Sequence, residues 1–227
     1  MRHFRSAVAL SIPIAVISAW SGTASAAGAA TCGGKRATIT SSKTVIKGTA
    51  GDDVIVVVGL GSHTVSALAG NDLVCGSDGD DDIKGGAGND HIWGGAGGDL
   101  IDGGTGDDVL EGESGADGLT GGAGNDRIYG GSGEDTVDAG DGKDWIRGGA
   151  GTDSIEAGAG NDTVRGESGS DLIDGGEGKD LLFGNNGDDE MDGGPGADVV
   201  HGNSGIDSVT RDADDKVYTA EIDPTVG

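Results

Sequence analysis

Large aliphatic residues recur every nine positions through most of the chain, from Ile55 to Val209. The residues on either side of them are mostly polar or charged. This alternation predicts a three-residue β-strand, because successive side chains of a strand point to opposite faces. The aliphatic side chain then points inward and its two neighbours point outward. The pattern predicts a long series of short strands and no helix.

The six residues between successive strands are rich in glycine and aspartate. Counted from residue 48, with Val57 as an inserted residue, the chain holds eighteen nine-residue units, and these run without a gap from Gly76 to Thr210. The fourth position is Gly in every unit, and the sixth is Asp in every unit except the one with His63. Glycines at positions one, two and four predict a tight turn, because glycine adopts backbone angles that other residues avoid.

Two units make one coil of eighteen residues, in the order turn, strand, turn, strand. Stacked coils predict an all-β fold, a parallel β-roll or right-handed β-solenoid, with two short parallel sheets around a thin aliphatic core. Units n and n+2 then stack along the same edge. We expect an N-terminal cap at 27–47, the repeat array at 48–210, regular from 76, and a C-terminal cap and tail at 211–227. The β-branched segment 36–47 predicts one or two capping strands, and 215–222 a closing strand before a loose tail after Pro224.

The position-six aspartates are the candidate metal ligands. A single Asp would be explained as a turn former, but seventeen occur in register. Ca²⁺ prefers six to eight oxygen ligands, both carboxylate and carbonyl, whereas Mg²⁺ is a poorer match because it keeps its waters. One turn offers too few oxygens, but two stacked turns could complete a shell. The candidates are Asp53, Asp72, Asp81, Asp90, Asp99, Asp108, Asp117, Asp126, Asp135, Asp144, Asp153, Asp162, Asp171, Asp180, Asp189, Asp198 and Asp207.

Units such as GGAGNDHIW at 85–93 and GGTGDDVLE at 103–111 follow the pattern G-G-x-G-x-D-x-U-x, in which U is a large aliphatic residue. This pattern resembles the RTX, or haemolysin-type, calcium-binding repeats. The resemblance implies a β-roll in which position-six carboxylates and turn carbonyls of neighbouring coils bind Ca²⁺. Many RTX proteins are exported through a C-terminal signal. The N-terminal signal predicted below departs from that pattern.

The composition supports a repeat protein that binds cations. Fifty glycines and seven aromatic residues cannot fill an ordinary globular core. Forty acidic residues against fourteen basic ones give a formal net charge of −26, which disfavours nucleic acid and anionic membrane surfaces as partners. Such charge is self-repelling in stacked turns without a cation, so we expect folding to be coupled to metal.

Residues 1–26 read as a secretory signal peptide, with a basic start at Arg2 and Arg5, an apolar run and the small-residue site Ala24-Ser25-Ala26. A transmembrane anchor is the alternative, but the run is short and Pro13 interrupts it. We therefore expect a secreted protein without a membrane span.

The chain has two cysteines, Cys32 and Cys75. An even pair in an exported protein predicts a disulfide. A lipid-anchored Cys32 is the alternative, and the residues before it lack the usual leucine.

The outward positions seven and nine differ between the two kinds of unit. Even-numbered units are mainly acidic there. Odd-numbered units carry every aromatic residue of the regular array, and their candidate partner face comprises Trp93, Arg127, Tyr129, Trp145, Arg147, Arg165 and Phe183. One explanation is ladder stabilisation by aromatic and arginine stacking. The other is a recognition face for a cell-wall glycan, another extracellular polymer or a second copy of the chain.

No catalytic motif emerges from the repeats. The serines of GESG and GNSG stand at variable positions with no His to activate them, and there is no H-E-x-x-H zinc site. We expect no enzyme, and a structural, adhesive or surface-binding module that depends on calcium. The alternatives are a non-catalytic remnant or accessory module of an RTX enzyme or toxin, and a simple extracellular calcium buffer.

Overall fold

The computed structural model describes residues 30–218, and all 25 regular elements in this range are β-strands. The predicted signal peptide at 1–26 lies outside the described residues, and so does the part of the predicted closing strand after Tyr218. Residues 30–218 contain no helix that is long and apolar enough to cross a membrane.

The strands form a small hairpin and two long sheets. The hairpin consists of β1 (Thr31–Cys32) and β2 (Lys35–Arg36). The odd sheet, which holds the strands of odd-numbered units, consists of β3 (Ile39–Ser41), β5 (Val54–Val57), β7 (Leu73–Cys75), β9 (His91–Ala96), β11 (Val109–Ser114), β13 (Arg127–Ser132), β15 (Trp145–Ala150), β18 (Thr163–Ser168), β21 (Leu181–Asn186), β23 (Val199–Ser204) and β25 (Lys216–Tyr218). The even sheet consists of β4 (Val45–Lys47), β6 (Thr64–Ala69), β8 (Asp82–Ala87), β10 (Leu100–Thr105), β12 (Gly118–Ala123), β14 (Thr136–Gly142), β16 (Ser154–Glu156), β17 (Ala159–Gly160), β19 (Leu172–Asp174), β20 (Glu177–Gly178), β22 (Glu190–Asp192) and β24 (Ser208–Thr210).

The neighbouring strands in each long sheet are parallel and come from successive coils. In the regular array the register is eighteen residues, as where Leu110 pairs with Ile128. Between β5 and β7 it is nineteen, because Val57 is an extra residue. The predicted fold class, an all-β solenoid of stacked eighteen-residue coils, is confirmed.

The core is a thin layer of position-eight side chains between the two sheets. Ile83 and Ile101 of the even sheet and Ile92 and Leu110 of the odd sheet are fully buried in one cluster. Burial of a large aliphatic side chain contributes about 1.5–3 kcal/mol. The core is therefore regular and shallow, and each coil depends on the coils above and below it.

Eleven of the eighteen strands that the repeat units form are six residues long, so the expectation of three-residue strands is wrong for them. Between β8 and β10, pairing skips position one and resumes at positions two and three of the next unit, where Gly86 pairs with Gly104 and Ala87 with Thr105. Position two has positive φ in Gly86 and Gly104, a conformation that keeps the chain in the ladder while it bends. The turn that remains is short and brings successive position-six residues into line.

The N-terminal segment covers the first coil. Strands β3 and β4 begin the odd and even sheets. The predicted disulfide is present and joins Cys32 of the hairpin to Cys75 of β7, with Cα atoms 5.7 Å apart. It closes a loop across 43 residues of sequence and ties the hairpin to the side of the odd sheet.

Candidate metal centre

The position-six residues form two buried columns, one along each edge of the solenoid. The odd column runs from Asp53 to Asp198 and the even column from His63 to Asp207, and every member is at most 6% exposed. All seventeen predicted aspartates lie in these columns. The backbone N–H of every member except Asp207 donates to Oδ1 of the aspartate one coil later, as from Asp108 to Asp126 at 2.8 Å. The ladder explains why the sixth position tolerates so little variation along the chain.

The second carboxylate oxygen is different. In fifteen aspartates Oδ2 is buried and accepts no hydrogen bond from the described residues: Asp72, Asp90, Asp99, Asp108, Asp117, Asp126, Asp135, Asp144, Asp153, Asp162, Asp171, Asp180, Asp189, Asp198 and Asp207. Burial of a carboxylate oxygen without a partner costs folding free energy, and repulsion between neighbouring carboxylates of a column adds to that cost. These oxygens therefore require a positive partner that the chain itself does not supply.

Carbonyl oxygens open into the same space as Oδ2. A methyl group added at Gly103 would lie 2.6 Å from Oδ2 of Asp108 and 2.9 Å from the carbonyl oxygen of Gly121, in the next coil. A methyl group at Gly122 would collide with the carbonyl oxygen of Gly104, which points along the stack. The glycines thus leave a cradle in which carboxylate and carbonyl oxygens of successive coils converge.

The donor set of this cradle fits Ca²⁺. Within residues 30–218, no three His, Cys, Asp or Glu side chains come together as a metal-binding cluster. A site must therefore combine the Asp carboxylates with backbone carbonyls, and this all-oxygen set is the preference of a hard cation with six to eight ligands. When bound, the cation supplies the charge that neutralises the buried carboxylates and links one coil to the next.

Burial raises the pKa of the fifteen column aspartates whose Oδ2 accepts no hydrogen bond. For Asp108, Asp144 and Asp180 the pKa rises to about 7, first because burial removes water and then because neighbouring carboxylates repel the charge. The hydrogen bond from the backbone of the previous coil opposes the rise. In the same way the pKa rises to about 6 in Asp90, Asp99, Asp153 and Asp171.

These shifts predict that acid partly replaces calcium. A carboxyl whose pKa is higher in the folded than in the unfolded chain stabilises the fold below its unfolded pKa, and loses that contribution as pH rises through the folded value. With folded values of about 6–7 for seven aspartates, the calcium-free chain should gain β-structure as pH falls from 7.5 towards 4.5. Circular dichroism of calcium-stripped protein at a series of pH values measures this.

A salt control separates protonation from general charge screening. About 1 M NaCl at pH 7.5 screens repulsion between exposed charges but protonates nothing. It should restore less β-structure than pH 5 does. A calcium-free chain with less β-structure at pH 5 than at pH 7.5 would refute the assignment of these raised pKa values.

Two position-six aspartates and the one histidine depart from the pattern. Oδ2 of Asp53 accepts a hydrogen bond from Thr49 N–H at 2.7 Å, and Oδ2 of Asp81 accepts one from Ser77 N–H at 2.8 Å. Nδ1 of His63 lies 2.9 Å from Oδ1 of Asp81. These three residues belong to the columns, but their polar atoms are engaged by the protein.

Sequence reasoning missed Asp215. Its Oδ1 accepts a hydrogen bond from Asp198 N–H at 3.1 Å, so it continues the odd column by one more rung. Its Oδ2 accepts a hydrogen bond from Asp212 N–H at 2.8 Å. The signal was the end of the repeat pattern in Asp215-Lys216-Val217-Tyr218, which lacks only the preceding glycines.

The seven residues of the candidate partner face all lie in outward positions of the odd sheet. The Tyr129 and Trp145 rings meet edge to face with centroids 5.2 Å apart, and the Arg147 guanidinium lies 4.8 Å from the centroid of the Trp145 ring. The Arg165 guanidinium lies 4.6 Å from the centroid of the Phe183 ring. These contacts support ladder stabilisation, since each joins adjacent strands or adjacent outward positions.

A groove runs beside this stack at the edge of the odd sheet. It has a volume of about 510 Å³, and it is lined by Asp107, Asn125, Asp126, Arg127, Tyr129, Lys143, Asp144, Trp145 and Thr163. Trp93 lies farther along the face, where Gly33 of the hairpin approaches its ring. The structure thus places Trp145 in an open groove and Trp93 beside the N-terminal hairpin.

Comparison with known families identifies the repeats. A family model described as RTX calcium-binding nonapeptide repeat (4 copies) matches residues 59–92, 76–110, 102–137, 111–146, 138–173 and 174–209. No curated protein matches the chain. The matches extend from the second unit to the eighteenth and cover every column aspartate except Asp53.

Proposed function

The chain belongs to the family of RTX calcium-binding nonapeptide repeat proteins, and from this premise we propose that calcium drives its folding and that the folded solenoid acts as a surface-binding module. The observation that carries the first part is the set of fifteen buried Oδ2 atoms that accept no hydrogen bond from the described residues. Circular dichroism with calcium and then with a chelator tests it.

We place this folding outside the cell. The predicted signal peptide at 1–26 supports export, and a disulfide such as Cys32–Cys75 persists in oxidising compartments. Extracellular modules bind Ca²⁺ with dissociation constants of roughly 10⁻⁴–10⁻³ M. The regular repeat array would then stay unfolded during export and fold where calcium is abundant.

The surface-binding part concerns the groove beside Trp145. Its aromatic wall offers the flat apolar surface on which a sugar ring stacks. Among the ion pairs within residues 30–218, none involves Arg127 or Lys143, although the chain has 40 acidic residues. Three acidic residues also line the groove, and two of them belong to the calcium column. With calcium bound to that column, the two cations face only Asp107, and this favours an acidic polysaccharide over a neutral one.

Replacement of Trp145 by Ser should weaken retention on an acidic polysaccharide. We expect retention on polygalacturonate-coated beads to fall about tenfold, which corresponds to about 1.4 kcal/mol. The matched control is Leu172→Ser, which also removes an outward apolar side chain, 50% exposed, but from the even sheet. Both variants should keep the calcium-induced circular dichroism signal.

The outcomes decide the partner. Retention of the original chain on polygalacturonate but not on neutral dextran, lost in Trp145→Ser and kept in Leu172→Ser, supports the proposal. Equal retention on both polymers, or equal losses in both variants, rules out the groove as an acidic-glycan site. A chain that binds calcium and neither polymer would be a calcium buffer.

A further inference from the structure

We infer that hydrogen-bond donors of the protein itself saturate the first aspartate of each column, so that residues 30–84 bind no calcium between their own coils and stay folded without it. We call each position-six residue of a column a rung; a rung is closed when the protein donates hydrogen bonds to both carboxylate oxygens and open when Oδ2 accepts none. This N-terminal segment then forms a fixed end on which the calcium-loaded coils stack. The inference rests on the proposed calcium-dependent folding of the regular array. It also specifies the position along the chain at which the metal sites begin.

In the odd column, the first carboxylate is fully engaged. Oδ2 of Asp53 accepts hydrogen bonds from the backbone N–H and the hydroxyl of Thr49, at 2.7 and 2.9 Å. Oδ1 accepts a hydrogen bond from the hydroxyl of Thr38 at 3.2 Å. The chain thus provides with its own donors the compensation that a cation would provide elsewhere in the column.

In the even column, the first two members form a closed cluster. Asp81 Oδ2 accepts hydrogen bonds from the backbone N–H and the hydroxyl of Ser77, at 2.8 and 3.0 Å. Asp81 Oδ1 accepts a hydrogen bond from His63 N–H at 2.8 Å and lies 2.9 Å from Nδ1 of the same residue. His63 replaces an aspartate at this rung, so the first pair of turns carries one carboxylate where later pairs carry two.

The φ angle of the residue at position two differs between the units with closed rungs and the units with open rungs. In sixteen of the eighteen units the residue there has positive φ, including the non-glycine residues Leu68, Glu113 and Asn185. The two exceptions are Thr49 and Ser77, which belong to the two units whose aspartates have both oxygens bonded. With ordinary φ, this residue turns its N–H and hydroxyl onto the carboxylate, and with positive φ it leaves Oδ2 without a donor.

The rest of the N-terminal segment has a hydrophobic core and a disulfide of its own. Ile46, Ile55, Val65 and Val74 are buried in its core, and the Cys32–Cys75 disulfide restricts the unfolded chain. The first Oδ2 without a donor belongs to Asp72, in the last odd-numbered unit of the segment. In later units the same oxygen lies beside a carbonyl oxygen of the following coil. By this register, Oδ2 of Asp72 faces the regular array and would be solvated when the array is unfolded.

A preformed end changes how the array folds. In a solenoid each repeat gains stability only from its neighbours, so the first coil is the hardest to form. A metal-independent N-terminal segment removes that barrier at one end. Calcium-driven folding should then proceed from Asp72 in the odd column and Asp99 in the even column towards the C terminus.

Hydrogen exchange followed by mass spectrometry tests this in the full exported chain with its disulfide intact. In chelator, peptides from 39–75 should remain protected while peptides from 100–210 exchange at the rate of an unfolded chain. After calcium addition both regions should be protected. If 39–75 exchanges as fast as 100–210 in chelator, the inference is wrong. If calcium fails to protect 100–210, the proposed function is wrong instead.

A variant tests where the metal sites begin. Ser77→Gly removes the hydroxyl donor and permits positive φ, so Asp81 should become an open rung and bind one additional calcium ion per chain. Native mass spectrometry at saturating calcium counts the ions. The matched control, Ser170→Gly, changes an exposed serine at position five of a regular unit and should leave the count unchanged. An unchanged count in Ser77→Gly contradicts the closed rung at Asp81.

Discussion

Chelation of calcium is expected to unfold the regular array from about residue 85 to residue 210. Without a cation, fifteen buried Oδ2 atoms lack any partner among the described residues, and successive carboxylates of a column repel one another. Burial of the thin aliphatic core cannot offset this electrostatic cost, because each coil buries only two large side chains. Far-ultraviolet circular dichroism should therefore lose most of its β signal in chelator and recover it when calcium is restored.

Magnesium provides the control for this experiment. It has the same charge as calcium but demands a compact octahedron and dehydrates reluctantly. At equal concentration it should restore much less β signal than calcium. A chain that keeps its full signal in chelator would show that the columns are stable without a cation.

Gly133→Ala is expected to be the most damaging small substitution in the array. Gly133 has φ of +140°, and an added methyl group would collide with the carbonyl oxygen of Gly115 in the previous coil. Backbone strain of this kind costs about 1–3 kcal/mol, and the collision would force two coils apart. We expect a loss of at least about 3 kcal/mol in the free energy of unfolding, measured by denaturant titration at saturating calcium.

Gly51→Ala is the matched control. Gly51 stands at the same fourth position of its unit, but an added methyl group there would have no heavy atom within 4 Å, and its φ lies outside the positive range. The substitution should change stability by less than about 1 kcal/mol. Similar losses in the two variants would mean that stacking of the turns is not what requires glycine.

The repeat pattern alone predicted the solenoid and the residues of its columns. Three positions with fixed chemistry specify where the chain turns, which side chain enters the core and which carboxylate faces the next coil. The same pattern could not distinguish Gly133 from Gly51, because the difference lies in whether a previous coil is present. The extension of most repeat strands to six residues was also hidden, since it depends on pairing between coils.

The closed rungs show a second limit of sequence reasoning. In the sequence, Thr49 and Ser77 are two of several residues that replace glycine at position two, and nothing distinguishes Asp53 and Asp81 from the other fifteen aspartates. Their difference depends on the φ angle of one residue and on the direction of one N–H group. His63 is visible in the sequence as an exception, but its contact with Asp81 depends on how two successive coils stack.

Native mass spectrometry across a calcium titration, with circular dichroism on the same samples, tests the central claim most directly. The claim is that the ions bind between stacked turns and that the β signal depends on them. We predict that bound calcium and β signal rise together, to at most fifteen ions, one for each aspartate oxygen without a donor. A full β signal before any ion is bound, or saturation with calcium at no gain of β signal, would contradict it.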